Sequence, residues 1–346
     1  MIKKYDVAVV IGRFQPCHSA HVALLREAAK LAKDVVVIVG SAYKPRTYKN
    51  PFSFEERAHI LKNVIATEGL TGNFDCRFHF EPNIDTIYND AAWVKRVQGI
   101  VSKYKVLGGS GICIVGHKKD DSSYYLEMFP QWDYIDFPLA TQLSATDIRD
   151  LYFRADHNMD FLSGVVPTST LFFLHQFAIS PAFKMIIEER AFIEKYKSAF
   201  ASLPYPPIFS TADAIVLCSG HVLMIKRRAA PGKGLWAVPG GFVNAKTDKS
   251  VQDAAIRELR EETGIKVPAP VLVGSIKDSK VFDAIDRSDR GRTITHAFKI
   301  VLPDGPLPKV KGSDDAEKAI WVPLAEIKSE DMFDDHWDMI QWSIGG

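Results

Sequence analysis

The 346-residue chain has few cysteines, no long hydrophobic run and almost no net charge. Its four cysteines, Cys17, Cys76, Cys113 and Cys218, are far apart and form no C-x-x-C pair. We therefore expect neither a disulfide framework nor a zinc site, and we expect a reducing compartment. The first apolar run is interrupted at Gly12 after about five residues, whereas a signal peptide or a spanning helix needs a longer run. A cytoplasmic protein is expected.

The formal net charge of +1 gives no long-range attraction to nucleic acid or to a membrane surface, so neither is expected as a partner. Small anionic ligands remain compatible with this charge because a phosphate site needs only a few well-placed donors. The length favours two domains, and 47% hydrophobic with 25% charged residues is typical of a globular protein. A homo-oligomer is compatible with these features.

Short apolar runs alternate with helical patterns over the first 160 residues. Strands are predicted at 7–11, 35–39, 77–80 and 112–115, and helices at 21–33, 53–67 and 89–103. Uninterrupted Val and Ile runs between helices indicate a parallel sheet that is covered on both faces. The pattern predicts a doubly wound α/β domain, whose ligands bind beyond the carboxyl ends of the strands.

A proline-rich break follows a helical pattern over 180–201. The stretch from Leu203 to Pro207 contains three prolines, which cannot continue a helix. We place the domain boundary there, giving domains 1–203 and 204–346. The second domain begins with two β-rich runs, 214–218 and 222–225, joined by Ser219-Gly220, which is a hairpin signal. A helix at 250–263 and strands near 271–276, 294–301 and 319–322 make this domain α+β.

The segment G-R-F-Q-P-C-H-S-A-H, residues 12–21, follows the first strand and opens the first helix. A helix start offers unpaired N–H groups and a positive dipole end, both of which suit phosphate. Gly12 lets the backbone approach a ligand closely, and Arg13 adds a forked donor. His18 and His21 are three residues apart and share one helix face. Two surface histidines at a helix cap are the alternative interpretation.

A second segment, S-A-T-D-I-R at residues 144–149, also has the pattern of a helix start. The hydroxyls of Ser144 and Thr146 could bind the β- and γ-phosphates of ATP, while Arg149 offsets their charge. The alternative is an ordinary helix N-cap, where serine and threonine are common.

These two segments resemble the H-x-G-H and S-x-T-x-x-R motifs of nucleotidyltransferases, and the first is similar to G-R-F-Q-P-x-H-x-G-H of the nicotinamide mononucleotide (NMN) adenylyltransferases. Ala20 stands at the motif glycine. The run K-N-P-F at 49–52, followed by Glu56-Arg57, resembles the R-[DN]-P-F…E-R loop of the NMN-specific members. Lys49 replaces the usual arginine, which keeps the charge but loses bidentate phosphate geometry.

Residues 85–93 resemble the segment of this family whose tryptophan stacks on the nicotinamide ring. That resemblance assigns the stacking role to Trp93, and a core tryptophan is the alternative. Gly116 lies at a predicted strand end, in V-G-H-K-K, and is expected to line the nucleotide pocket.

The resemblance implies in-line attack by the NMN 5′-phosphate on the α-phosphorus of ATP, which forms NAD and releases pyrophosphate. Positioning two anions and stabilising the developing charge would supply most of the catalysis. His18, His21, Arg13 and Arg149 are the expected catalytic donors, and Mg²⁺ is expected to arrive with ATP.

Three carboxylates in the second domain share one predicted helix face: Glu258, Glu261 and Glu262. Their mutual repulsion would be removed by a hard divalent cation, Mg²⁺ or Mn²⁺. A solvated face stabilised by Arg257 and Arg260 is the alternative.

The stretch resembles the Nudix box, G-x5-E-x7-R-E-U-x-E-E-x-G-U with U apolar, and its last nine positions match residues 257–265. The resemblance makes the three glutamates metal ligands and Glu262 also a catalytic residue. The first half of the box departs from the motif. Its acidic position falls on Lys249, and Gly241 lies two residues too far away, as if the loop were lengthened.

Phe282-Asp283 and the later R-G-R-T-I-T-H run at 290–296 resemble members that act on ADP-ribose. Trp236 and Phe282 are candidates to stack on adenine, with core packing as the alternative, and Arg292 is a candidate substrate contact. A metal-activated water would attack the diphosphate to give AMP and ribose 5-phosphate. The general base is left open, with Asp283 and Asp286 as options.

Together the motifs resemble the bifunctional bacterial NMN adenylyltransferase/ADP-ribose pyrophosphatases. That family implies an α/β fold in which a Rossmann-like nucleotidyltransferase domain precedes an α+β Nudix domain, with ATP, NMN and ADP-ribose as substrates. One alternative is a nucleotidyltransferase for another phosphate ester, such as phosphopantetheine. Another makes the second domain a ligand-sensing module.

Overall fold

The computed structural model describes residues 3–106, 108–118, 121–138, 143–154, 159–312 and 316–345. By contacts, the chain divides into two compact units, Met1–Ile187 and Glu188–Gly346. The domain boundary between residues 203 and 204 stays a prediction.

The first unit is built on a parallel sheet of five strands with helices between them. In chain order its elements are β1 (Tyr5–Gly12), α1 (Ser19–Leu31), β2 (Ala32–Val39), α2 (Phe54–Thr67), α3 (Leu70–Phe74), β3 (Arg77–Pro82), α4 (Asp90–Ser102), β4 (Ile112–Gly116), β5 (Asp133–Asp136), α5 (Ala145–Tyr152), α6 (Thr168–Ala178) and α7 (Pro181–Ser198), which ends in the second unit. The strand order is β3-β2-β1-β4-β5, and each pairing is parallel. The predicted doubly wound fold is confirmed.

Both faces of this sheet are covered. Ala8 and Val10 of β1 belong to one buried cluster with α1 and α2, and Val7 and Val9 belong to another with α4. This explains why β1 is apolar at successive positions instead of alternating. The strand order reverses between β1 and its neighbour β4, so the crevice expected to bind ligands lies where β1 ends, at Gly12.

The second unit has a mixed sheet and a helix on which the three glutamates lie. Its elements are β6 (Phe209–Cys218), β7 (His221–Arg227), β8 (Trp236–Ala237), β9 (Gly240–Phe242), α8 (Val251–Thr263), α9 (Ala269–Gly274), β10 (Ile276–Phe282), β11 (Thr293–Val301), β12 (Ala316–Pro323) and α10 (His336–Ser343). The main order is β10-β11-β6-β7-β12, with β8 on β7 and β9 on β6. Only the β6–β11 pairing is parallel among the described strand pairs of this unit.

Helix α8 has the start and stop that its sequence predicts. The Ser250 side chain accepts a hydrogen bond from the Asp253 N–H, and Gly264 ends the helix with a φ of 52° in the left-handed region. Its apolar side, including Ile256 and Leu259, packs in one cluster with β6 and β7. The opposite side is left to the charged residues.

The strand predicted near 271–276 is wrong. Residues 269–274 form helix α9, and the strand β10 begins only at Ile276. Pro268 precedes the helix and Pro270 lies in its first turn, where proline favours a helix start because its φ is already suitable. The apolar run Val271–Val273 therefore follows a helix-start signal that outweighs its β propensity.

Among the described residues, no single helix has the length and apolar character needed to cross a membrane, although the bent pair α6 and α7 passes that test when taken together.

Candidate active sites

The segment that follows β1 is tightly folded around Phe14. A Cβ atom at Gly12 would lie 3.1 Å from the Phe14 ring. Phe14 itself has a φ of 52° and is buried. Arg13 is exposed, and Ala20, which replaces the motif glycine, is buried. The turn therefore presents the Arg13 side chain to solvent at the carboxyl edge of the sheet.

His18 and His21 face each other at the start of α1. Their ring centroids are 3.9 Å apart, and the backbone N–H of His18 donates a 3.3 Å hydrogen bond to Nδ1 of His21. Neutral His21 must therefore carry its proton on Nε2, where it can serve as a donor. Burial lowers the pKa of His18 to about 4, and burial followed by the nearby His18 lowers the pKa of His21. Both rings are neutral donors near pH 7, and a bound phosphate would favour their charged forms.

Arg149 reaches the same segment from α5. Its Nη1 donates to the carbonyl oxygen of Gln15 at 2.8 Å, and its Nη2 donates to Oγ1 of Thr146 at 3.1 Å. Arg149 is 3% exposed, and its Nε is buried without a hydrogen-bond partner among the described residues. Burial lowers its pKa to about 10, so it is charged at neutral pH. A buried cation with a spare donor is suited to an anionic ligand.

Ser144 occupies the N-cap of α5. Its N–H and hydroxyl donate to the Asp147 carboxylate at 2.8 and 2.7 Å, and its oxygen accepts from the Asp147 N–H. This reciprocal capping box matches the alternative interpretation, an ordinary helix cap. A phosphate at this helix start would have to displace the Asp147 carboxylate.

The K-N-P-F loop is attached to the histidine segment by Gln15. The Gln15 amide donates to the Phe52 carbonyl oxygen at 2.9 Å and accepts from the Phe52 N–H at 3.1 Å. Arg46, which the sequence analysis missed, pairs with both carboxylate oxygens of Glu56 at 2.7 and 2.8 Å. Lys49 lies in this loop and is half-buried. The loop is therefore held in place at both ends.

Trp93 and Gly116 lie in packed surroundings. Trp93 is half-buried, and its ring lies 6.1 Å from Tyr125 and 6.0 Å from Phe129. A Cβ atom at Gly116 would lie 2.6 Å from a Leu126 methyl group, so a larger residue there would force the Leu126 side chain to move. The partial exposure of Trp93 leaves a ring edge or face for a ligand.

In the second unit, the glycine strand β9 lies directly against the glutamate face of α8. A Cβ atom at Gly241 would lie 2.6 Å from Oε1 of Glu258. The Gly240 N–H donates to Oε2 of Glu262 at 2.9 Å. Glycine at these two positions therefore lets the backbone approach the carboxylates closely.

Arg257 organises the carboxylates around it. Its Nε and Nη2 donate to the two carboxylate oxygens of Asp248, each at 2.8 Å. Its Nη1 donates to Glu258 at 2.8 Å and to Glu261 at 2.9 Å. Motif counting places the acidic position of the box at Lys249. In the structure, the carboxylate that pairs with Arg257 belongs to Asp248, one residue earlier. The Arg257 hydrogen bonds lower the pKa of Asp248 to about 2.

The glutamates have the chemistry of a cation site. Burial raises the pKa of Glu262 to about 8 and raises that of Glu258, and each feels the charge of neighbouring carboxylates. Among the described residues, no group of three or more His, Cys, Asp or Glu side chains is gathered closely enough to hold a metal ion. The donor set is nonetheless all carboxylate oxygen, crowded and partly desolvated, which fits a hard divalent cation.

Asp213, in the middle of β6, is a buried acid beside this cluster that the sequence analysis missed. It is 5% exposed, accepts a hydrogen bond from the Thr295 hydroxyl, and would lie 2.1 Å from a Cβ atom at Gly240. Burial raises its pKa to about 6. The only sequence signal is an aspartate directly before the apolar run 214–218.

The proposed ring-stacking residues of this unit differ in exposure. Phe282 is 0% exposed and packs against Trp342, with ring centroids 5.7 Å apart, which matches the core alternative. Trp236 lies half-buried in β8. Arg292 donates to the Asp283 carbonyl oxygen, and Asp283 and Asp286 are exposed. A substrate could reach Trp236 or Arg292 without rearrangement of the core.

A buried ion pair close to this site was also missed. Arg287 donates to both carboxylate oxygens of Asp335 at 2.9 and 2.8 Å, and both side chains are almost completely buried. The next residue, His336, accepts a 3.1 Å hydrogen bond from the Val238 N–H through Nδ1. These contacts fix the segment that leads into the glycine strand.

Comparison with known proteins gives matches to both halves of the chain. A Cytidylyltransferase-like family model matches residues 9–151, and a NUDIX domain model matches residues 209–343. The solved structure of a bifunctional NMN adenylyltransferase/ADP ribose pyrophosphatase from Francisella tularensis, complexed with AMP and a manganese ion, is 33% identical. It covers 99% of both chains with a TM-score of 0.87.

Two further relatives each match one half. A nicotinamide/nicotinic acid mononucleotide adenylyltransferase from Acinetobacter baylyi is 36% identical over 185 residues, which are 53% of this chain and 92% of that protein. An ADP-ribose pyrophosphatase from Methanocaldococcus jannaschii is 34% identical over 141 residues, which are 41% of this chain and 73% of that protein.

Proposed function

Because the chain belongs to the family of bifunctional NMN adenylyltransferase/ADP-ribose pyrophosphatases, we propose that it catalyses both reactions, each in its own compact unit. The first unit joins NMN and ATP to give NAD and pyrophosphate. The second hydrolyses ADP-ribose to AMP and ribose 5-phosphate. The substrates are small nucleotides, in keeping with the names of the relatives that match each half.

The observation that carries the first activity is the gathering of cationic and neutral donors at the end of β1. Arg149, whose buried Nε has no hydrogen-bond partner in the described part of the chain, donates to the Gln15 carbonyl oxygen in the segment that holds His18 and His21. We assign Arg13, His18, His21 and Arg149 to binding and stabilising the reacting phosphates. Lys49 and Thr146 would hold the phosphates of the two substrates, and Trp93 the nicotinamide ring.

The observation that carries the second activity is the contact between Gly240-Gly241 and the carboxylates of Glu258 and Glu262. These two residues and Glu261 would hold the cation, for which we propose Mg²⁺ with Mn²⁺ as a substitute. When bound, the cation would offset the diphosphate charge and acidify a water for attack. Arg257 keeps the helix face in place, and Arg292 and Trp236 are proposed to contact the substrate.

The remaining assignments stay predictions. We propose a cytoplasmic location, because the four cysteines are widely separated and fit a reducing compartment.

The test is a pair of assays on the full chain with Mg²⁺, repeated with Mn²⁺ and with excess chelator. We expect NAD and pyrophosphate from ATP plus NMN, AMP and ribose 5-phosphate from ADP-ribose, and loss of both activities with chelator. Transfer to phosphopantetheine but not to NMN would replace the first assignment. Binding of ADP-ribose without hydrolysis under any metal condition would make the second unit a sensing module.

A further inference from the structure

Arg57, in the first turn of α2, is 1% exposed and makes four hydrogen bonds to backbone carbonyl oxygens. Its Nη1 donates to Arg13 and to Gly40, each at 2.7 Å. Its Nη2 donates to Ser41 and its Nε to Ser53, each at 3.1 Å. One rigid guanidinium fork therefore links three separate chain segments.

Two of these segments follow the carboxyl ends of the neighbouring strands β1 and β2. Arg13 directly follows β1, and Gly40 directly follows β2. The two loops are also joined by a 2.9 Å hydrogen bond from the Gly40 N–H to the Gly12 carbonyl oxygen. This is the edge at which ligands bind in doubly wound folds, and it is where Arg13 and His18 are presented.

The charge of Arg57 is not balanced by a carboxylate in hydrogen-bond contact within the described part of the chain. Burial lowers its pKa to about 10, so it is a cation at neutral pH. The nearby Asp85 carboxylate, which accepts a hydrogen bond from the Ser41 hydroxyl, favours the charged form of Arg57 without bonding to it.

A purely structural role would also explain a buried arginine. The acceptors of its hydrogen bonds argue against a purely structural role. Only Ser53 lies at the N-terminus of α2. The other three end on the two loops that border the candidate phosphate site. The two hydrogen bonds from Nη1 therefore set the distance between the Arg13 and Gly40 backbones.

We propose that Arg57 is a positioning residue for adenylyl transfer, because it fixes the spacing between the loops that follow β1 and β2. This proposal rests on the proposed function of the first unit. Arg57 does not touch the substrate; it acts through Arg13 and the segment leading to His18. Loss of the fork should misalign the reacting groups and therefore lower kcat more than it raises KM.

The experiment compares Arg57→Lys and Arg57→Gln with Val64→Ala in the full chain. Val64 is a fully buried core residue of the same helix, so its truncation destabilises the fold without touching the two loops. With kcat expressed per folded protein, we expect a loss of about 10- to 100-fold in both Arg57 variants. KM for ATP and NMN should stay within about threefold, and Val64→Ala should lower Tm while keeping kcat.

A second measurement does not depend on activity. Hydrogen exchange of the Gly40 amide, which bonds to Gly12, should be faster in Arg57→Lys than in the parent and unchanged in Val64→Ala. Parent-like kcat in folded Arg57 variants, or parent-like Gly40 exchange in Arg57→Lys, would overturn the proposal. A parent that makes no NAD would overturn the proposed function, and the exchange result would still decide the role of Arg57.

Discussion

Burial controls the protonation of the two histidines of the first site. The pKa of His18 is lowered to about 4, and the Nδ1 of His21 is already used as an acceptor. The rings therefore offer N–H donors at neutral pH without carrying charge before a ligand arrives. Such donors can stabilise charge that develops on phosphate oxygens in the transition state, where one well-placed donor contributes about 10²–10³ in rate.

Trp93 provides a residue-scale prediction about the acceptor substrate. If its half-exposed ring stacks on nicotinamide, Trp93→Ala should weaken NMN binding by about 1–2 kcal/mol and leave ATP binding nearly unchanged. Isothermal titration with each nucleotide measures both affinities.

The matched control is Trp132→Ala, because Trp132 is 9% exposed and stacks on Phe129 at a centroid distance of 4.4 Å. We expect it to lower Tm without a selective loss of NMN affinity. Equal losses of NMN and ATP affinity in Trp93→Ala would favour the core interpretation instead.

The sequence could nominate single residues as site candidates where they lie within a short motif, as His18, His21 and Glu262 do. Arg57 lies in the quoted K-N-P-F…E-R resemblance, but its contacts were not predicted, and Asp213 was not singled out, because their partners are remote in the chain. The Arg57 bond to Arg13 spans 44 residues, and the Asp213 bond with Thr295 spans 82. Periodicity and local spacing contain no information about such contacts.

At the scale of elements, α8 was predicted well because its cap, apolar side and stop are all local signals. The position of the acidic residue in the loop before α8 was not predicted correctly, because motif spacing assumes a fixed loop length. The lengthened loop shifts the acidic residue to Asp248, which still reaches Arg257. Helix α9 was wrongly predicted as a strand, because the β propensity of Val271–Val273 was given more weight than the prolines that start the helix.

This geometry predicts different effects for two adjacent substitutions. Asp248→Ala should lower ADP-ribose hydrolysis by about tenfold or more, because Arg257 loses the partner that orients it toward Glu258 and Glu261. Lys249→Ala should leave hydrolysis within about twofold, since Lys249 is exposed. Steady-state assays at saturating Mg²⁺ make the comparison. A larger effect of Lys249→Ala than of Asp248→Ala would contradict the assignment.

At the scale of the whole molecule, the two sites lie on separate compact units and use different chemistry. The donors of the first unit are histidine and arginine groups, whereas those of the second are carboxylates on α8. Among the described residues, the hydrogen bonds given above for each site are made by residues of the same unit. Substitutions at sites that share no partner residues usually act additively.

The most direct measurement assays both reactions on the parent, on His21→Ala and on Glu262→Gln. We expect His21→Ala to lower NAD synthesis by about 10²–10³ and to leave ADP-ribose hydrolysis within about twofold. Glu262→Gln keeps the side-chain shape but removes a ligand charge, so metal affinity and hydrolysis should fall together while NAD synthesis stays within about twofold. Loss of both reactions from either single substitution, in a protein that remains folded, would contradict the account of two independent sites.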